Sequence, residues 1–215
     1  MRLRVALVLG IALLLLAACS VTRGSGQLAT AQREVAGFTK VELAGQGDLT
    51  IEQTGTESLT ISAEDNLLPL LTSDVSGDTL VLGTKPNTTI VTTKPITYSV
   101  TVKDLTGLMV SGSGTITVPK LATTELTINI SGSGTITVNG AANDQNLEIS
   151  GSGQYQAEGL TSKTVKANIS GSGEASVLAT DMLDVAISGS GSVTYSGNPQ
   201  VKQELSGSGE LIKKQ

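Results

Sequence analysis

The sequence predicts an all-β fold: a parallel β-helix or close solenoid built of rungs 18–20 residues long, with an irregular β cap on its N-terminal side. Three observations predict it. First, the stretch Ser-Gly-Ser-Gly occurs six times, starting at Ser111, Ser131, Ser150, Ser170, Ser188 and Ser206, so successive copies lie 20, 19, 20, 18 and 18 residues apart. A unit of that length cannot bury its own apolar face and must stack on its neighbours. Second, apolar residues around each copy keep a period of two. Val110, Ile130, Ile149, Ile169, Ile187 and Leu205 precede the motif, and Ile116, Ile136, Tyr155, Ala175, Val193 and Leu211 follow its first Ser by five. That alternation is β-strand with one buried face, and the wealth of Gly and β-branched residues excludes helix. Third, counting through the motif puts both glycines on the inward parity and both serines on the outward one. Strand without inward side chains marks a bend or a close approach of another wall of the core.

Two competing readings of the motif are weaker. A phosphate-binding loop needs a following helix whose N–H groups face the anion, and usually a Lys; here every copy leads into another strand. A flat antiparallel meander would reverse direction at each Gly pair, yet the apolar parity runs unbroken across them. Stacked copies at about 4.8 Å per rung give a narrow column with ladders of serine on its outside.

From the start of the chain, Met1–Ala18 reads as an export signal: Arg2 and Arg4 precede the apolar run Val5–Leu16, which is too short to span a bilayer comfortably. It closes on Leu16-Ala17-Ala18-Cys19, which resembles the bacterial lipobox. That resemblance implies a diacylglyceryl group on the Cys19 sulfur, cleavage before Cys19, and acylation of the new amine with a palmitate-type chain. Two or more acyl chains anchor a protein stably where one does not, so a membrane partner through Cys19 is expected. Ser20, not Asp, follows the Cys, which in Gram-negative bacteria resembles outer-membrane sorting. As Cys19 is the only cysteine, a lipidated chain has no disulfide.

Loss of the signal leaves 12 basic against 19 acidic residues, a formal charge of −7. Such a chain is a poor electrostatic match for nucleic acid or an anionic membrane, and no nucleic-acid partner is expected. Residues 19–36 are small and polar without periodicity, which predicts a lipidated Cys and a flexible tether with an extended reach of roughly 55–60 Å. Phe38 then opens the folded part, a domain over 37–215. Val41, Leu43, Leu49 and Ile51 alternate with polar residues around Ala44-Gly45-Gln46-Gly47, a degenerate seventh copy of the motif. Leu59 and Ile61 mark another strand. Asp65 to Leu71 is the one place for a short helical turn, with Asp65 or Asn66 as N-cap. Ser76-Gly77-Asp78 and Lys85-Pro86-Asn87 read as turns flanking a strand over 79–84, and Ile96–Val102 as the strand before the first clean repeat. Lys213 and Lys214 end the last rung with charge, which discourages growth of an open edge.

Phe38 with Val41, Gly45, Leu49 and Ile51, then Asp65-Asn66-Leu67, Gly77-Asp78-Thr79-Leu80, the Ser-Gly repeats and Tyr195-Ser196-Gly197-Asn198-Pro199 stand in one order over about Val35 to Lys214. In that order they resemble the putative auto-transporter adhesin head GIN domain family of bacterial envelope lipoproteins. The resemblance implies a right-handed parallel β-helix and a part in adhesion. The family's repeat usually reads Ser-Gly-Ala-Ser-Asp, whereas the Asp position here holds Thr115, Thr135, Gln154, Glu174, Ser192 and Glu210. A role tied to an aspartate ladder is therefore not carried over.

The residue inventory argues against catalysis. The chain has no His, and Arg23 and Arg33 are the only arginines after the signal. Hydrolysis of a polysaccharide needs paired carboxylates, but Asp144, Glu148, Glu158, Asp181 and Asp184 are scattered. No catalytic residue, cofactor or metal is expected: zinc lacks ligands, and the calcium β-roll needs Asp after its glycines. Phe38, Tyr98, Tyr155 and Tyr195 are the only aromatics, and the last two fall inward. What remains is a rigid hydroxyl face formed by Ser111, Ser113, Ser131, Ser133, Ser150, Ser152, Ser170, Ser172, Ser188 and Ser190. The expectation is a non-enzymatic, lipid-anchored envelope protein, an adhesin-like or structural module with an envelope glycan or protein as partner. The alternatives are a polysaccharide-active β-helix enzyme and a small ligand-sensing module of envelope regulation.

Overall fold

The computed structural model describes residues 20–214; the expected signal peptide Met1–Ala18 and the lipidation site Cys19 lie outside the described residues. The N-terminal part contains β1 (Ser20–Arg23), β2 (Leu28–Arg33), β3 (Lys40–Leu43), β4 (Asp48–Gln53), β5 (Ser58–Glu64), β6 (Leu71–Ser76), β7 (Thr79–Thr84), β8 (Thr88–Val91) and β9 (Thr97–Val102). The repeats follow as β10 (Gly107–Val110), β11 (Thr115–Gly132), β12 (Thr135–Gly151), β13 (Gln154–Gly171), β14 (Glu174–Gly189), β15 (Ser192–Ser196), β16 (Gln200–Gly207) and β17 (Glu210–Lys213).

From β11 to β14 each long strand is one complete rung, running from one Ser-Gly-Ser-Gly bend to the next. Successive rungs pair in parallel and in register: Ile130 lies on Ile149, Ile149 on Ile169, and Ile169 on Ile187. Residues at the same place in the repeat therefore stack, and the column is a β-solenoid of about 5 turns. Its core is a continuous row of buried aliphatics, including Ile116, Val118, Ile128, Ile136, Leu147, Val165, Val177, Leu183 and Val185. Rungs differ in length, yet the bends stay aligned. The slack is taken up on the far side of each rung, where the register shifts between Val118 and Leu121, Thr137 and Gly140, and Ala157 and Thr161.

The serines of the motif face solvent, as the parity predicts, but only the second glycine lies inward as expected. Gly134, Gly153 and Gly173 are buried, whereas Gly151 is exposed and Gly132 and Gly171 are half-buried, because the left-handed turn at the first glycine breaks the alternation. The two glycines have separate tasks. The first holds a left-handed backbone, with φ of 137°, 128°, 119° and 129° at Gly132, Gly151, Gly171 and Gly189. A Cβ on Gly132, Gly151 or Gly171 would stand 2.6 Å from the carbonyl oxygen of the matching glycine one rung back, so only glycine is tolerated. The second glycine admits the preceding rung's core: a Cβ on Gly153 would run into Ile130.

On the N-terminal side the same stacking continues for two more layers. Leu43 lies under Val110 and Asp48 under Thr115, and the N–H groups of Ser113 and Gly114 both donate to Gly45 O, at 3.2 and 3.1 Å. Ala44–Gly47 is thus a degenerate copy of the motif in position as well as spacing. Beneath it β7 pairs with β3 and β9 with β4, still in parallel. Antiparallel strands then close the end: β6 on β7, and β5 followed by β2 on β9.

Two expectations are corrected here. The segment read as a tether is folded from Ser20 onward. β1 pairs with β8, and β2 lies antiparallel on β5, with Ala29 and Ala31 packed against the core. Only a two-residue alternation of small side chains marks β2, too weak a signal to distinguish from linker. The helical turn is a 3-10 turn at Leu68–Leu70 whose N-cap position is Leu67, without a side-chain cap. Asp65 and Asn66 are used elsewhere. Asn66 Oδ1 accepts from Ser25 N at 3.0 Å, its Nδ2 donates to Arg23 O at 2.8 Å, and Ser25 Oγ donates to Asp65 at 2.5 Å. Beside them the buried Glu64 carboxylate accepts from Gly26 N (2.6 Å), Thr93 Oγ1 (2.6 Å), Thr93 N (2.9 Å) and Lys94 N (3.4 Å). These contacts clasp the N-terminal segment to the cap.

Candidate interaction face

The outward positions of the rungs form straight columns along the solenoid. Ser111, Ser131, Ser150, Ser170 and Ser188 form one, and Ser113, Ser133, Ser152, Ser172 and Ser190 a second beside it across the bend. All ten are exposed, and parallel pairing sets Ser131 on Ser150, Ser150 on Ser170 and Ser170 on Ser188. The ladder ends at the cap, where Ser111 Oγ donates to Glu42 at 2.7 Å. Further round the rung stand Thr117, Thr137, Gln156, Ser176 and Thr194, with Thr137 Oγ1 donating to Gln156 at 3.1 Å.

The column two residues before the first serine is Asn129, Glu148, Asn168, Ala186 and Glu204. Where Ala186 interrupts the longer side chains, a cleft of about 430 Å³ opens beside the serines. Its sides are Glu148, Asn168 and Glu204, its rim Ser170, Ser188 and Ser206, and its floor the chain at Ile149, Ile169 and Ile187. Lys202 borders this region, 3.4 Å from Glu204 and 3.6 Å from Asp184; Asp184 first and Glu204 second raise its pKa above the ordinary lysine value. The cleft thus has hydroxyls, an amide and two carboxylates around an apolar gap. Sequence reasoning found the serines but not the cleft, because the gap depends on which side chains stack above and below Ala186.

The face offers hydroxyl, amide and carboxylate groups for hydrogen bonding. Glu148 and Glu204 stand three rungs apart, roughly 14 Å at 4.8 Å per rung. Paired glycosidase carboxyls lie about 5–9.5 Å apart; the nearer carboxylates, Asp184 and Glu204, are both held by Lys202. Among the described residues no group of three or more His, Cys, Asp or Glu is placed to hold a metal ion, and no helix is long and apolar enough to cross a membrane.

The aromatics lie in or against the core. Phe38, Tyr98 and Tyr155 are buried, and Tyr195 packs against the core while partly open. Tyr155 OH donates to Gln145 Oε1 at 2.7 Å, and Gln145 Nε2 donates to Ser162 Oγ at 2.5 Å. These three buried polar groups satisfy one another inside the solenoid, which is the condition for keeping them there. Burial pushes the Tyr98 phenol up to about 12 and that of Tyr155 higher still, so both stay neutral.

No curated protein matches the sequence. Among solved structures, a putative adhesin from Bacteroides fragilis is 26% identical, with 89% of this chain and 98% of that one covered at a TM-score of 0.71. A protein described as a putative lipid binding protein from Parabacteroides distasonis (24% identity, 91% and 100% covered, TM-score 0.58) shares the fold. So does a putative adhesin from Parabacteroides merdae (22% identity, 91% and 99% covered, TM-score 0.53). The family model described as "Putative auto-transporter adhesin, head GIN domain" matches residues 37–199, which takes in the cap strands from β3 onward, five of the six bends and most of the cleft. The chain belongs to that family.

Proposed function

We propose that the protein is a non-enzymatic, lipid-anchored protein of the cell envelope whose solenoid is an adhesin-like module, holding a neutral glycan chain along the serine ladder and the cleft at Ala186. One observation carries the reading: two columns of exposed hydroxyls run beside an open gap flanked by carboxylates and an amide. Such a surface matches the hydrogen-bonding groups of an extended sugar chain and repels a polyanion. Family membership and the likeness to the Bacteroides fragilis putative adhesin support an adhesin-like role. The lipobox at Leu16–Cys19 supports export, cleavage after Ala18 and anchoring through Cys19.

The test is a polysaccharide panel probed with the chain from Ser20 onward and with Ala186→Trp, which fills the gap from outside without touching the core. The wild-type chain should retain a neutral polysaccharide, and the variant should lose that retention at least tenfold. Equal retention by both, or retention of nothing, ends the proposal. Turnover of a glycan that is lost in Glu148→Gln would replace it with an enzyme. Cells making Cys19→Ala should attach to matrix less well than cells making the unaltered protein; equal attachment removes the adhesion part.

A further inference from the structure

We propose that the outer face of the β1–β8 ribbon is a membrane-seating surface: the capped end of the solenoid lies directly on the lipid bilayer, and the C-terminal rung points away from it. The inference rests on the reading that Cys19 is lipidated, and adds where the bilayer meets the folded domain.

The ribbon is parallel, with Val21 beside Thr89, Thr22 beside Ile90 and Arg23 beside Val91. Partners in a ladder share a face and neighbours along a strand alternate. Ile90 packs against the core, so the Thr22–Ile90 pair faces in, and Val21, Thr89, Arg23 and Val91 face out. Val21 is 67% exposed and Val91 46%. Val21 and Leu28 are the two most exposed large apolar side chains among the described residues, and both lie within nine positions of Cys19.

The spacing decides what covers this face. β1 begins at Ser20, the residue after Cys19. At about 3.3–3.6 Å per residue, an acyl group on Cys19 enters the bilayer within roughly 7 Å of Val21. The segment cannot swing away to lengthen that distance. Gly24 N donates to Val91 O at 2.9 Å, Asn66 holds Arg23 O and Ser25 N, and Glu64 holds Gly26 N. An anchor with no spacer brings the outer face of the ribbon to the headgroups, where exposed valines are favourable and the Arg23 guanidinium meets lipid phosphate. Two valines add little to an anchor of two or more acyl chains; what they and Arg23 fix is orientation. The solenoid then stands with its cap down, and the serine ladder runs up its side.

The test uses the full acylated protein, whose only cysteine is consumed by the lipid, so a single introduced cysteine takes a nitroxide label. Val91→Cys and Thr89→Cys report the proposed face, and Ser190→Cys the ladder. In vesicles of phosphatidylethanolamine and phosphatidylglycerol, labels at 91 and 89 should show collision with a water-soluble nickel chelate several-fold lower than the label at 190, while collision with oxygen rises. Nickel access equal at all three positions, with Cys19 found acylated in the N-terminal peptide, overturns the seating and leaves the anchor standing. Labels at 89 and 91 shielded from both reagents mean that protein covers the face, which also overturns it. An unmodified Cys19 brings down the anchor and the seating together.

Discussion

The repeats and the cap obey the same stacking rule but are held by different forces. From β10 onward every rung is the environment of the next: repeated bends, aliphatic on aliphatic, and parallel backbone pairing broken only by the register shifts on the far side. Beyond β7 and β9 the strands turn antiparallel, and isolated polar contacts take over, with Glu64 on Gly26 and Thr93, Asn66 on Arg23 and Ser25, and Glu57 on Gly37, Phe38 and Lys103. A periodic stack is robust to surface change and intolerant of anything added at its bends. A cap built from single contacts can lose its outermost strand while the rest stays folded.

The largest effect expected from that contrast is at the bend. Gly151→Val forces a β-branched side chain onto φ 128° and against Gly132 O, and should cost about 3–5 kcal/mol in a denaturant melt. A loss near zero would mean that the stack yields at its corners. Next comes the clasp. Glu64→Gln puts an amide donor among the donors of Gly26, Thr93 and Lys94, and trypsin should then cut after Arg23 on the order of tenfold faster, while the repeats melt unchanged. Unaltered cleavage would show that β1 and β2 are held by pairing alone. Acid should act at the same place. The Thr93 hydroxyl, aided by the N–H groups of Thr93, Gly26 and Lys94, holds the buried Glu64 carboxyl down to about 2, against a burial effect that raises it. Since the folded value lies below the ordinary 4.5, this contribution is complete above about pH 4.5 and is lost as pH falls toward 2. Trypsin is inactive there, so release of β1 and β2 is followed by hydrogen exchange, which should rise first in residues 20–33.

Within the repeats, Tyr155→Phe leaves Gln145 Oε1 buried without its donor and should cost about 1–2 kcal/mol; no change would mean that Gln145 finds another partner. Smallest of all is Ser152→Val, on the outside of a bend, at under about 1 kcal/mol. If it matched Gly151→Val, the reading that the bend requires glycine at 151 and accepts any side chain at 152 would be wrong.

How much of this was legible follows the same line. The spacing of Ser111, Ser131 and their successors gave the rung length, and Val110 or Ile130 before each motif gave the buried face, because a repeat writes its contacts into its period. The left-handed turn at Gly132 and Gly151 was not visible, since alternation alone does not separate a bend from an inward gap. The tether reading of Ser20–Ala36 failed for a related reason. What orders that stretch is Glu64, Asp65 and Asn66, some forty positions on, and a contact of that kind leaves no periodic trace. Gln145 and Ser162 escaped as well: each breaks the apolar pattern locally, and only their meeting with Tyr155 inside the column accounts for both. The serine columns were legible; the cleft at Ala186 is a property of four successive rungs.

The register shifts opposite the bends have a bearing on how tall such a molecule can be. Because the register shifts at Val118–Leu121 and Ala157–Thr161 absorb one to three residues without disturbing the glycine corners, a whole rung can be gained or lost by duplication or deletion of one copy, even an imperfect one. Height then changes in steps of about 4.8 Å, so the distance at which the top of the column is displayed is a quantity that gene duplication can tune.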